Sequence, residues 1–314
     1  MARRLQLGLA MADTTSLTQD LSRTVDVCVC TFRRPTVMDT LASLAKQELL
    51  EGWKLRVIVA DNDVEPSARG AVERAFSQYG LEGMYIHAPA QNISVARNAC
   101  LDHATAPYAA FIDDDETAHP AWIANLVNRM RATGSGVVFG RVKAIYEKDA
   151  PVWMVNGDMH STEAFFRNGR IEGGYTCNVL LRRETVGDLR FDPTFGRSGG
   201  EDTIFFGSLG RAGVFMAYAY NAVVDEPVVK QRVSLKWLAR RAFRSGQSFS
   251  VVLRADGKNR AWVLLKSVLK IGFCLAAGVA TMWNAVMWRR AYVRGAFHAG
   301  VLSGILGRAP LQLY

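Results

Sequence analysis

The chain of 314 residues contains no internal repeat with a period of 20–50 residues and no low-complexity tract. Those absences exclude solenoids, propellers and disordered chains. Its five cysteines, Cys28, Cys30, Cys100, Cys177 and Cys274, form no CxxC and share no zinc spacing with histidine. A zinc ribbon and a disulfide scaffold are thereby excluded, and the expectation is small buried thiols in a reducing compartment. Acid is scarcest near the end: residues 229–314 hold 15 Lys or Arg and a single carboxylate, Asp256, a net +14. The whole chain is +9, so residues 1–228 sum to 9 − 14 = −5. A slightly acidic body with a basic tail argues against a nucleic-acid-binding protein and for a tail that meets an anionic surface. The apolar part of the N-terminus, MARRLQLGLAMAD, is too short and too weak for a signal peptide, and residues 1–23 are expected to be a disordered leader.

What is there begins with a core. Hydrophobic residues make up 49% of the chain, enough for one large domain or two smaller ones. TVDVCVCTF (24–32) is apolar and β-branched on nearly every position, as a strand covered on both faces requires. Arg33, Arg34 and Pro35 stop it, and Val37, Leu41, Leu44, Ala45 and Leu49 follow at helical spacing. KLRVIVADND predicts a second strand ending in acid, residues 67–79 a helix, and GMYIHA a third strand. NISVARNACLDHA predicts a helix capped at Asn92 or Ser94. PYAAFI is a fourth strand, and HPAWIANLVNRMRATG a helix with Pro near its first turn and Gly at its end. This alternation over the first 135 residues predicts a doubly wound α/β domain, whose ligands bind beyond the carboxyl ends of the strands. After about residue 140 the alternation weakens. There GGYTCNVLLRRETV suggests a strand, GRSGGEDTIFFGSLGRAG a glycine-rich loop and a helix from Glu201, and VFMAYAYNAVVDEP further strands.

The strand ends carry polar punctuation: TFRRP, DND and DDDE. Adjacent carboxylates repel one another unless a cation offsets them, and Mg²⁺ or Mn²⁺ does so with oxygen ligands. On an extended segment Asp113 and Asp115 point to one side and Asp114 to the other, so the pair can face one metal or one nucleotide. A solvated acidic turn explains the same residues without any ligand. Glu201 and Asp202 follow two glycines, which suits either a closing loop or a plain helix start. Asp61 alone fits a turn as well as a ribose or base contact, and Arg97 fits a salt bridge as well as a phosphate contact.

The ordered set VCVCTFRRP, VIVADND, NISVARN, AAFIDDDE and GGEDT resembles glycosyltransferase family 2 over roughly residues 24–215. GGYTCNVLLRRE and VKQRVSLKWLARRAFRSGQS resemble its bacterial exopolysaccharide branch. The resemblance implies a GT-A catalytic domain over 24–228, with a nucleotide-sugar half at 24–135 and an acceptor half at 136–228. It implies donor contacts from Thr31, Arg33, Asp61, Arg97, Asp113 and Asp114, and a metal, Mg²⁺ or Mn²⁺, held by Asp115 with Asp113. Asp202 would be the general base of an inverting reaction and Glu201 would help to hold the acceptor. The implied donor is a nucleotide-diphosphate sugar, UDP-linked in the first instance, and the acceptor a glycan or a lipid-diphosphate-linked glycan. Processive members carry Q-x-x-R-W, whereas QRVSLKW (231–237) has the wrong spacing, so one sugar per acceptor is expected.

Two other readings compete. FIDDDET also fits the haloacid dehalogenase phosphatase pattern, with Asp113 as nucleophile and Asp115 as acid/base, although that motif normally ends the first strand of its domain. A membrane-associated protein that has lost catalysis is the second. In the tail, residues 271–288 run 18 residues without charge, at the short end for a span, with Trp283, Trp288 and flanking basic residues. The helical, basic region 229–314 is expected to seat the protein on the cytoplasmic face of an inner membrane, peripherally or shallowly inserted.

Overall fold

The computed structural model describes residues 22–309 and 311, so the leader expected at 1–23 lies outside the described residues except for Ser22 and Arg23. The expected alternation is present. In chain order it runs β1 (Thr24–Thr31), α1 (Val37–Leu44), β2 (Lys54–Asp61), α2 (Arg69–Tyr79), β3 (Gly83–His87), α3 (Ile93–His103) and β4 (Tyr108–Asp113). Then come β5 (Thr117–Ala118), α4 (Trp122–Thr133), β6 (Val137–Ile145), α5 (Val152–Asn156), and the hairpin β7 (Phe165–Arg167) and β8 (Arg170–Gly173). After it come β9 (Asn178–Arg182), α6 (Arg183–Val186), α7 (Glu201–Arg211) and β10 (Met216–Pro227). The tail is three helices, α8 (Leu235–Ala255), α9 (Arg260–Ala280) and α10 (Met287–Ile305).

Eight strands form one sheet in the order β3-β2-β1-β4-β9-β6-β10-β5. The pairs β3/β2, β2/β1 and β1/β4 are parallel, as the continuous apolar strands require. Beyond β4 the sheet is mixed rather than doubly wound. β9 runs antiparallel to both β4 and β6, and β5 antiparallel to β10, while β10 is parallel to β6. An antiparallel neighbour needs no crossover helix, which is why the alternation fades there in the sequence.

Successive residues of β1 serve opposite faces. Val25, Val27 and Val29 pack with Leu41 and Leu44 of α1 and Trp122 and Leu126 of α4, all buried. On the other face Cys28 packs with Ala96 and Cys100 of α3 and with Phe205 and Phe206 of α7. All five cysteines are free, and Cys28, Cys100 and Cys274 are buried. Some buried positions are polar: the fully buried Asp26 accepts from Arg56 Nε at 2.8 Å and from the backbone N–H groups of Thr105 and Ala106 at 2.7 and 2.8 Å. The segment read as several strands is the single β10, with a register shift between Ala219 and Val223. Buried Asn178 spans that irregularity, donating to Ala222 O at 2.9 Å and Arg141 O at 3.0 Å and accepting from Trp122 Nε1 at 2.8 Å.

Helices α8 and α10 cross at glycines. A Cβ on Gly246 would lie 2.0 Å from Phe297 O, and one on Gly300 1.9 Å from Phe243 O. The uncharged run 271–288 is not one helix. α9 ends at Ala280, and Asn284 Oδ1 accepts from the N–H groups of Val286 and Met287 at 3.0 Å each before α10 begins. Among the described residues, α9 is the one helix long and apolar enough to cross a membrane, and most of it is exposed.

Candidate active site

A cavity of about 740 Å³ opens at the carboxyl ends of β1, β2 and β4. Thr31, Arg97, Asp113, Asp114, Asp115, Glu201 and Asp202 all line it. Four segments distant in sequence therefore meet at the place where the fold predicts a ligand.

Arg97 joins two of them. Asn92 caps α3, its Oδ1 accepting from Ser94 N at 3.1 Å, and Arg97 projects a turn later. Its buried guanidinium pairs with Glu201 at the start of α7 and stands 3.8 Å from Asp113 at the end of β4. Both carboxylates keep it charged, against the cost of its burial. Glu201 Oε2 finds no hydrogen-bond partner among the described residues, nor does Thr176 Oγ1, and both residues are buried on the cavity wall.

Burial raises Asp113 to about 7, with repulsion from Asp115 and Asp114 adding to it and Arg97 opposing. The Asp113 side chain is 44% open to the cavity, so water filling that space weakens the desolvation. Asp114 is raised to about 6, again by burial first, with Arg34 pulling it down. Arg34 donates to Asp114 at 3.0 Å and also pairs with Asp115, and Arg232 Nη2 stands 3.9 Å from Asp115. Glu116, the last acid of the run, is fully buried and turns back to accept from Asp113 N at 2.9 Å. It shapes the turn instead of facing the cavity.

Asp202 is raised to about 6 by burial and by Glu201 beside it, with Arg97 opposing. The preceding glycines let α8 approach. Gly200 has φ 102°, and a Cβ there would meet Ser248 Oγ at 2.3 Å.

Two expected donor residues are not among those lining the cavity. Asp61 is fully buried and accepts from Asp63 N at 3.0 Å, Ala68 N at 2.8 Å and Tyr85 Oη at 2.7 Å. Its neighbour Asn62 lines the cavity instead. Arg33, 60% exposed and at φ 55°, turns to Asp63 at 2.8 Å, which holds that carboxyl down at about 2. Tyr175, Thr176 and Glu226, and the tail residues Arg244 and Ser248, also line the cavity, none of them expected there from the sequence; Arg232 and Arg241, basic tail residues that the sequence does offer as phosphate contacts, line it beside them. The basic helical spacing of LKWLARRAFRS was the available signal for Arg244 and Ser248, since 241, 244 and 248 share one helix face.

The sequence profile of Glycosyl transferase family 2 matches residues 26–190, and a relative from Rhizobium meliloti (strain 1021), the succinoglycan biosynthesis protein ExoM, is 46% identical over 92% of this chain and 95% of its own. The chain belongs to glycosyl transferase family 2. It is a glycosyltransferase, and the match disfavours the haloacid dehalogenase reading of the same acidic run. Another family relative, the glucosyl-dolichyl phosphate glucuronosyltransferase of Haloferax volcanii, is 24% identical over 73% of this chain and 77% of its own. Among solved structures, a Pyrobaculum calidifontis mannosyltransferase in complex with GDP-Man and Mn²⁺ superposes with a TM-score of 0.60 at 18% identity, covering 89% of this chain and 86% of that one. That likeness identifies the fold as GT-A.

Proposed function

We propose that this family 2 enzyme transfers one sugar, with inversion, from a nucleotide-diphosphate sugar to a lipid-diphosphate-linked or polysaccharide acceptor during exopolysaccharide synthesis. The observation that carries the proposal is the Arg97 bridge. It ties Asp113 on one wall to Glu201, next to Asp202, on the other, so donor acids and a half-buried carboxylate base flank one cavity. Thr31, Asn62, Arg97, Asp113 and Asp114 are assigned to the donor; Asp61 and Arg33 act one step back, by fixing the loop that presents Asn62.

Asp202, proposed as general base, takes the proton of an acceptor hydroxyl as its oxygen attacks the anomeric carbon. The bond to the nucleotide diphosphate breaks on the opposite face, and its electron pair leaves with the diphosphate. Arg97, Arg232 and Arg244 line the cavity and offset the negative charge gathering there. Glu201 Oε2 and Thr176 Oγ1, buried and unpartnered among the described residues, await sugar hydroxyls.

A divalent cation fits the donor set. Asp113 and Asp115 line the cavity together, and no cluster of three or more His, Cys, Asp or Glu able to hold a metal occurs among the described residues. One or two carboxylates plus substrate phosphate is the arrangement Mg²⁺ and Mn²⁺ accept. Bound by Asp115 and Asp113, such an ion would supply Lewis-acid stabilisation of the leaving diphosphate.

The exposed face of α9 and the turn after it carries Trp262, Leu269, Phe273, Val279, Met282 and Trp283, beside Lys266 and Lys270. Such a face suits peripheral or shallow insertion into an anionic membrane, here assigned to the cytoplasmic side. Lipid-bound acceptors fit this seat, and the name of the Haloferax relative points the same way. The test is labelled-sugar transfer across nucleotide sugars, UDP-linked ones first, with and without Mn²⁺. Asp202→Asn should lower turnover by about 10³ at unchanged donor affinity; full activity in that variant removes Asp202 as the base.

A further inference from the structure

A second cavity, of about 490 Å³, lies between the three tail helices. Phe243 of α8, Ile271 and Leu275 of α9, and Ala291, Gly295 and Ala299 of α10 line it. Among the described residues no carboxylate lines it, and Arg240 stands at its wall. Leu275 and Tyr292 also belong to the exposed surface, at 64% and 51%, so the space opens onto the apolar face of α9. The same helix, α8, walls the reaction cavity with Arg241, Arg244 and Ser248. Residues four apart stack along one edge of a helix, so Arg240 of the groove adjoins Arg244 of the reaction cavity.

We infer that this groove binds the hydrocarbon chain of the acceptor lipid, whose diphosphate crosses α8 at Arg240 and Arg244 to deliver its glycan to the reaction cavity. The inference rests on the lipid-linked acceptor of the proposed function. Charge decides the occupant. Arg240 is the one charged side chain lining the groove among the described residues, and residues 229–314, which supply its walls, hold 15 Lys or Arg against the single acidic side chain of Asp256, so the groove suits an anionic amphiphile rather than a neutral one. Glycine at 295 keeps the groove open: a Cβ there would reach only Cys274 Cβ, at 3.4 Å, and a larger side chain projects into the space.

The test uses the full chain with farnesyl diphosphate, below its micelle concentration, against inorganic diphosphate, by titration calorimetry. Farnesyl diphosphate should bind at least about tenfold more tightly than inorganic diphosphate, since chain burial adds to head-group binding. Gly295→Leu and Ala299→Phe should remove that gain and leave inorganic diphosphate unchanged, and Arg240→Gln should weaken farnesyl diphosphate several-fold. Equal binding by wild type and both filled-groove variants overturns the inference, even where wild-type sugar transfer holds. Intact chain binding without any sugar transfer overturns the functional reading instead. Should the variants misfold, farnesyl diphosphate with a photoreactive chain end on the wild type decides. Labelling within 271–275 or 291–299 supports the groove, and labelling within 241–248 or 175–177 overturns it. Equal competition by short-chain phosphatidylglycerol marks a bulk-lipid site, and a concentration-dependent dimer abolished by Gly295→Leu marks an interface between copies; either result also overturns it.

Discussion

At the end of β2, Asp61 is enclosed and accepts three hydrogen bonds from its own neighbourhood. At the end of β4, Asp113, Asp114 and Asp115 line the cavity, where their cationic neighbours are Arg97, Arg34 and Arg232. Both strands lie side by side with β1 in the parallel half of the sheet, and both end in acid. They differ in the path of the chain beyond each strand. After β2 the chain folds back so that Ala68 and Tyr85 reach Asp61, whereas after β4 only Glu116 folds back and the three aspartates stay presented. Of the two acidic strand ends, the one whose acceptors are filled from its own neighbourhood is withdrawn from the cavity, and the other lines it.

Substitutions at the two strand ends should separate activity from stability. Asp115→Ala should lower sugar transfer by at least about 10³ while its melting temperature stays near wild type. Comparable transfer by the variant, measured under saturating donor, would erase the distinction. Asp61→Ala should do the reverse, costing about 3 kcal/mol of stability in urea unfolding because three donors lose their acceptor, with transfer falling far less. A smaller loss, about 2 kcal/mol, is expected of Gly200→Ala, from strained backbone and the clash with Ser248, read by the same unfolding experiment.

The smallest effect is a pH dependence with opposite signs for the two readouts. Asp113, Asp114 and Asp202 titrate at about 7, 6 and 6 in the folded chain, above the ordinary aspartate value of 3.8. Across that window the folded state holds more protons than the unfolded one, so stability falls as pH rises. The metal-free protein should therefore melt a few degrees higher at pH 5.5 than at pH 7.5. With Asp202 as the proposed base, transfer should decline as pH drops through about 6. A melting temperature that rises with pH, without added metal, contradicts the burial of these acids.

The parallel half of the fold was legible because its strands are buried on both faces and its helices keep a clean apolar stripe. Asn92 as a cap and Gly134 as a helix end follow from local chemistry alone. The antiparallel insertion of β9 was not legible, since pairing with β4 and β6 is a long-range choice that leaves no local period. Asp26 was hidden for the same reason: its acceptors are filled by Arg56 and by the backbone at Thr105 and Ala106, remote in sequence. At the candidate site the ordered acids and Arg97 announced themselves by type and position. Thr176 and Tyr175 did not, because a hydroxyl on a loop carries no pattern until the wall it stands in is known.

The glycine crossing of α8 and α10 gives the molecule a rigid partition. With backbones this close at Gly246 and Gly300, a shift of α10 should carry α8, and with it one wall of the larger cavity. A load placed on α10 therefore reaches Arg241, Arg244 and Ser248 on the far side of α8.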